Sequence, residues 1–130
     1  MVWLSQEQQL RGVAGEPRGG AVNRIGDYGM IGDCHSLALV GPDGSIDWLC
    51  FPRFDSPSVF GRTLDADAGH FRVAPSSPVV DVRRTYLPST NVLETTFVTV
   101  DGEVELTDCM PVGRSRRKTH ASTTAQIGMV

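Results

Sequence analysis

Four of the five aspartates between Ile25 and Phe60 are the residues of this chain that most resemble a catalytic group: Asp27, Asp33, Asp47 and Asp55. Two carboxyl groups on either side of a scissile bond can act as general acid and general base, so the four first indicate hydrolytic chemistry. However, Asp27, Asp33 and the nearby Asp43 each stand next to a glycine. An aspartate in that position usually accepts backbone N–H groups of its own turn. We therefore expect structural roles for these three.

The strongest candidates for contact with a ligand lie within or just after the predicted strand that contains Asp47. We expect Asp47 itself on the outer face of that strand, either solvated or paired with an arginine. Asp55 lies beside Arg53 in a loop bounded by prolines, where a pair that only fixes the loop is the simpler interpretation. Trp48 adds an aromatic ring that could stack on a sugar. The candidate substrate or domain-interface residues are Trp48, Arg53 and Asp55, and no catalytic residue is assigned.

Thiol and imidazole groups in the same region raise the alternative of a metal site. Cys34, His35 and Cys50 are suitable ligand types, but their spacing matches no zinc pattern. Neighbouring side chains of an extended strand point to opposite faces, which also separates Cys34 from His35 as a nucleophile and base. No metal and no cofactor is therefore predicted. Three widely spaced cysteines argue against a disulfide framework and favour a cytoplasmic location.

Composition excludes several further classes of protein. The 130 residues are 40% hydrophobic and 21% charged, as expected for one globular domain. A net charge of −3 argues against a nucleic-acid partner, and the basic run at 114–118 is interpreted as a solvated linker. No apolar run approaches the roughly 20 residues that cross a membrane, so no membrane partner is predicted. The N-terminal residues also lack the pattern of a secretion signal.

The elements that must position these residues are mainly strands. Ser36–Val40 and Ser45–Cys50 flank the turn sequence GPDG and predict a hairpin, in which Ile46, Trp48 and Cys50 share one face. Ser56 followed by Pro57 predicts a short helix near residues 57–64.

Further strands are predicted downstream. A short strand follows with Phe71 and Val73 inward, and three longer strands are predicted at Val79–Tyr86, Val92–Val100 and Glu103–Met110. The predicted fold is an all-β antiparallel β-sandwich.

Three regions are expected along the chain. Residues 1–23 show no sustained period and are interpreted as a flexible N-terminal arm, and residues 24–112 as the sandwich domain. Residues 113–130 lose all alternation and are interpreted as a basic, polar tail or a truncated linker.

Several short motifs together resemble a known family. They are the two IGD units at Ile25–Asp27 and Ile31–Asp33, DGSIDWLC at Asp43–Cys50, PRFDSPSVF at Pro52–Phe60 and LDADAGHF at Leu64–Phe71. In this order and spacing they resemble the N-terminal domain of bacterial glycoside hydrolase family 15 proteins, the glucoamylase-like and trehalase-like enzymes. The resemblance covers nearly ninety residues.

The resemblance implies an antiparallel β-super-sandwich that packs against an (α/α)6 catalytic barrel absent from this chain. It places the catalytic glutamates on loops of that barrel, so the chain itself carries none. We expect the loop Phe51–Phe60 and the segment Gly26–Asp33 to face the barrel. An exposed apolar face could otherwise mediate a homo-oligomer. The alternative is a free-standing module that binds a saccharide or another protein.

Overall fold

The computed structural model describes residues 10–11, 23–112 and 122–128, and these form two antiparallel β-sheets. The strands are β1 (Leu10–Arg11), β2 (Gly29–Gly32), β3 (Leu37–Val40), β4 (Ser45–Cys50), β5 (Ser58–Gly61), β6 (Phe71–Arg72), β7 (Val79–Tyr86), β8 (Leu93–Thr99), β9 (Glu103–Cys109) and β10 (Ser122–Gly128). Sheet A has the order β1-β7-β8-β9-β10; sheet B has the order β2-β3-β4-β5, with β6 also paired to β4. The predicted all-β antiparallel sandwich is confirmed.

The long strands of sheet A follow the predicted alternation. Leu93, Thr95, Phe97 and Thr99 of β8 are buried, and the residues between them are half-exposed. An Asp-Gly turn connects β8 to β9, as expected from the sequence. The residues that alternate inward from this sheet form one wall of the core.

The core lies between the two sheets. Sheet B contributes Ile31, Ala38, Val40, Ile46 and Leu49, which pack with Leu93 and Met110 on the opposite side. Removal of these apolar side chains from water stabilises the packing of the two sheets by about 1.5–3 kcal/mol for each large aliphatic residue.

Side chains of the opposite sheet close the outer edge of β2. The Tyr86 hydroxyl accepts a hydrogen bond from Met30 N at 2.7 Å and donates one to Met30 O at 2.9 Å. The Asn91 amide donates to Gly32 O at 2.9 Å. Backbone groups that an edge strand would otherwise leave unpaired are therefore satisfied within the domain.

The helix predicted near residues 57–64 is wrong, because these residues contain strand β5. Phe60 lies opposite Leu49 and Gly61 opposite Trp48. Pairing with the open edge of β4 satisfies the backbone here, and this outweighs the local capping signal of Ser56 and Pro57. In the described residues the only helical element is a single 3-10 turn at Ile25–Asp27.

Two further expectations differ from the structure. Phe71 is 46% exposed rather than inward. Part of the region predicted as a polar tail is strand β10, which pairs with β9 from Ser122 opposite Cys109 to Gly128 opposite Glu103. The basic run at 114–118 lies outside the described residues, as does most of the predicted arm. No helix among the described residues is long and apolar enough to span a bilayer.

Candidate functional site

A β-bulge at Asp47 decides which side chains of β4 face the core. Leu39 lies opposite Trp48, but the next residue of β3, Val40, lies opposite Ile46, so Asp47 is an extra residue in the ladder. The alternation therefore restarts after the bulge, and both Ile46 and Leu49 reach the core. The predicted shared face of Ile46, Trp48 and Cys50 is wrong for this reason. Trp48 lies on the outer face of sheet B.

The bulge also places the Asp47 carboxylate in a buried polar cluster rather than at an exposed position. The Tyr28 hydroxyl donates to Asp47 Oδ2 at 2.7 Å, and Arg62 Nη1 lies 3.5 Å from Oδ1. The expected arginine partner is thus present, but the Asp47 side chain is only 2% exposed. The pKa of Tyr28 is raised to about 12, mainly because the phenol is buried and also because it donates a hydrogen bond to Asp47. The pair is suited to holding β4 against the chain before β2.

Asp43 fixes the β3–β4 hairpin, in agreement with its predicted turn role. Its Oδ1 accepts hydrogen bonds from Ser45 N at 3.3 Å and from Ser45 Oγ at 2.6 Å. Arg72 Nε donates to the Asp43 carbonyl at 3.1 Å and lies 3.4 Å from its carboxylate. These contacts tie the turn to β6.

Asp33 organises the turn between β2 and β3. Its Oδ1 accepts backbone hydrogen bonds from His35 at 2.9 Å and Ser36 at 2.8 Å, as the sequence predicts for an aspartate after glycine. Burial alone would raise the pKa of Asp33, but the hydrogen bonds from Ser36 and His35 outweigh it and lower the pKa. Cys34 adopts φ of +72° between them and is exposed.

Arg53 and Asp55 form an exposed pair in the loop after β4. Arg53 Nε lies 3.0 Å from Asp55 Oδ1, and the two side chains are 70% and 72% exposed. The Phe54 backbone N–H donates to the His35 carbonyl at 2.9 Å, which joins this loop to the β2–β3 turn. Within residues 23–112 neither charged side chain bonds to Trp48. A ligand role for Trp48, Arg53 and Asp55 stays a prediction.

Two important polar residues of the fold had no clear signal in the sequence. Arg84 is 6% exposed and donates to Asp27 O at 2.7 Å and to Val40 O at 2.8 Å, so it links sheet A to the open end of the β2–β3 hairpin. Burial lowers the pKa of Arg84. Tyr86 closes the edge of β2. Both follow the inward alternation of β7, but a buried arginine is rare enough that periodicity alone would not identify it.

The described residues show no arrangement that would hold a metal ion. No group of three His, Cys, Asp or Glu side chains is close enough for this in the part of the chain with described side chains. The three cysteines are unpaired thiols.

Comparison with known proteins identifies the family. The family model for the N-terminal domain of trehalase-like proteins matches residues 17–125. The chain is 44% identical over 104 residues to the trehalase of Mycolicibacterium smegmatis, which covers 76% of this chain and 16% of that protein. It is 42% identical over 104 residues to the trehalase of Mycobacterium tuberculosis, covering 76% of this chain and 15% of the relative.

An archaeal relative gives a similar result. Trehalase 1 of Sulfolobus acidocaldarius is 51% identical over 85 residues, which covers 65% of this chain and 15% of that protein. No solved structure matches the chain. The chain therefore spans about one sixth of the length of the curated relatives it matches. With the family match extending through both sheets, the chain belongs to the trehalase-like N-terminal domain family.

Proposed function

We propose that this chain is the noncatalytic N-terminal domain of an enzyme that hydrolyses an α-glucoside such as trehalose, and that it supports a separate catalytic domain. The family match carries the proposal, because it assigns the chain to the N-terminal part of proteins whose relatives are named trehalases. The chain covers only 15–16% of those three relatives. Their remaining length leaves ample room for a catalytic domain elsewhere.

The carboxylates of the domain support a noncatalytic role. Asp33 accepts backbone hydrogen bonds, Asp43 and Asp47 lie against arginines, and Asp55 pairs with Arg53. Arg83 likewise pairs with Glu103. A general acid or base needs a carboxyl group directed at substrate, whereas these groups are directed at neighbouring residues of the domain.

We further propose that the parent enzyme belongs to glycoside hydrolase family 15. An (α/α)6 barrel would then supply glutamates as acid and base for hydrolysis with inversion, and the substrate would be trehalose or a maltooligosaccharide. The motifs at Asp43–Cys50 and Pro52–Phe60 support this through their resemblance to that family. A cytoplasmic location is supported by the three unpaired thiols.

The test is to assay the chain alone and as part of a larger protein. We expect the purified chain to release no glucose from trehalose or maltose. A chimera in which this chain replaces the matched region of the M. smegmatis trehalase should hydrolyse trehalose. Glucose release by the isolated chain that disappears in Asp47→Asn or Asp55→Asn would show instead that the domain is itself a hydrolase.

A saccharide-binding module is the second candidate, favoured by the exposed Arg53 and Asp55 side chains and the partly exposed Trp48. Calorimetric titration with trehalose and with maltose separates it from the scaffold role. Binding heat that is lost in Trp48→Ala would support the module. The scaffold role predicts no heat above dilution with either sugar.

A further inference from the structure

The outer face of sheet B carries a row of apolar side chains. Met30 lies opposite Leu39, Leu39 opposite Trp48, and Trp48 opposite Gly61. Directly opposite residues project to the same face of a sheet, so Met30, Leu39 and Trp48 form one row, here called the outer row. The adjacent row of directly opposite residues, Ile31, Ala38 and Leu49, faces the core. Sheet B is therefore apolar on both faces.

The outer face of sheet A has a different character. Glu94, Thr96 and Val98 of β8 project outward there, with Glu105 and Thr107 of β9 beside them. A polar outward face is what an antiparallel sheet at the surface of a sandwich normally shows. By contrast, β2 and β3 contain no charged residue, and the only one in β4 is the buried Asp47. Near-continuous apolar strands are typical of a sheet covered on both sides.

The outer row is accessible in the isolated domain. Met30 is 53% exposed, and Leu39 and Trp48 are partly exposed. The fold holds the row in place, because Tyr86 bonds to the Met30 backbone and the bulge at Asp47 sets the direction of Trp48. A rigid apolar surface loses little conformational entropy when a partner covers it.

We propose that the outer row of sheet B is the surface on which the catalytic part of a trehalase-like protein docks. This inference rests on the proposed function and names the surface that serves it. Chain length indicates this occupant, because the curated relatives continue for most of their length beyond the matched domain. A neighbour in the same polypeptide is present at high effective concentration, so a modest apolar surface is sufficient to hold it.

A sugar fits the outer row less well than a protein surface does. The Leu39 side chain has no hydrogen-bonding group, the Met30 thioether is only a weak acceptor, and Trp48 offers a single N–H donor. Saccharide and other small-molecule sites need several convergent polar groups to orient the ligand. Arg53 and Asp55 lie in the loop after β4, outside the outer row, and pair with each other.

The experiment uses the full chain and the chimera with the M. smegmatis trehalase. Both are treated with hydrogen peroxide, and oxidation of Met30 is followed by mass spectrometry of the peptide that contains it. If the outer row is the docking surface, Met30 should be oxidised at least about fivefold more slowly in the chimera than in the isolated chain. This readout needs no substitution within the outer row itself.

Matched substitutions provide the second arm. Met30→Lys and Leu39→Lys place a charge in the outer row, and Val98→Lys places one on the outer face of sheet A between Asp81 and Glu103. We expect the first two to lower the trehalose-hydrolysing activity of the chimera about tenfold or more, because a buried charge opposes docking. Val98→Lys should retain the activity. Met30→Lys should leave the thermal midpoint of the isolated chain unchanged, since Met30 is half-exposed there.

Each contrary outcome has a distinct meaning. An active chimera with Met30 oxidised as fast as in the isolated chain, and with all three lysine variants equally active, would overturn the docking surface but leave the proposed function standing. An inactive chimera with unprotected Met30, whose circular dichroism spectrum shows that it is folded, would overturn both. Protection of Met30 in the isolated chain by trehalose would assign the row to a sugar. A dimer by light scattering that Met30→Lys dissociates would assign it to a second copy.

Discussion

Replacing Tyr28 by phenylalanine tests whether the buried cluster at the bulge stabilises the domain. The substitution keeps the ring but removes the hydroxyl that donates to Asp47 Oδ2 at 2.7 Å. Asp47 is 1% exposed, so water cannot replace the lost donor without rearrangement. Loss of a hydrogen bond to a buried charged group costs about 1.5–3 kcal/mol. We expect the free energy of unfolding to fall by that amount at pH 8.

The same substitution has a defined dependence on pH. The pKa of Tyr28 is raised from 10.0 to about 12 in the folded domain, so the folded state favours the protonated phenol. This contribution is complete below pH 10 and is lost as the pH rises through 12. At pH 11 the linkage removes on the order of 1 kcal/mol from the wild-type advantage over Tyr28→Phe, which has no phenol to ionise.

Urea unfolding followed by far-ultraviolet circular dichroism measures both effects, with each protein examined at pH 8 and pH 11. Other groups also titrate in this range, but they are common to both proteins and cancel in the difference. Equal stability of the two proteins at pH 8 would refute the role assigned to the Tyr28–Asp47 hydrogen bond, and a difference that stays constant to pH 11 would refute the raised pKa of Tyr28.

Four further substitutions test three separate features. Asp33→Ala should cost about 1–2 kcal/mol at pH 7 in urea unfolding, because the carboxylate holds two backbone N–H groups. Since the Asp33 pKa is lowered, this cost should shrink as the pH falls below 3.8, and a constant cost would contradict the assignment. Tyr86→Phe should cost about 0.5–1.5 kcal/mol and speed hydrogen exchange at the Met30 amide, whereas unchanged exchange would argue against edge closure. Gly44 and Gly69 both have positive φ values, +76° and +81°. Replacement by alanine would push a Cβ into the Val73 carbonyl at position 44 but would meet open space at position 69. Thermal unfolding should therefore show a clearly lower midpoint for Gly44→Ala, and equal midpoints would exclude the steric term.

The sequence predicted the fold where local patterns and tertiary pairing agree. Alternation located β7, β8 and β9, and Asp-Gly turns located the β3–β4 and β8–β9 hairpins. Turn chemistry and a half-buried face act on the same residues there. The prediction was wrong at residues 57–64, where Ser56 and Pro57 favour a helix start but the open edge of β4 requires a partner. Local capping preferences cannot report the presence of an unpaired edge distant in sequence.

The candidate site shows the same division. Turn roles for Asp33 and Asp43 follow from their glycine neighbours and are found in the structure. The position of Trp48 could not be predicted, because a single bulge residue reverses the alternation that the argument uses. Tyr28 and Arg84 also escaped prediction, since each makes contacts between distant parts of the chain. Such contacts have no signature in nearby residues.

The bulge at Asp47 also divides one edge of β4 between two neighbours. Ser45 and Ile46 pair with β6, whereas Trp48, Leu49 and Cys50 pair with β5. The Asp47 carbonyl accepts from Thr63 N at 3.4 Å, in the segment between these two strands. Either neighbour can then open without breaking the ladder of the other. Hydrogen exchange should accordingly show different opening rates for β5 and β6, which are otherwise linked where Gly61 N donates to Ala68 O and Gly69 O.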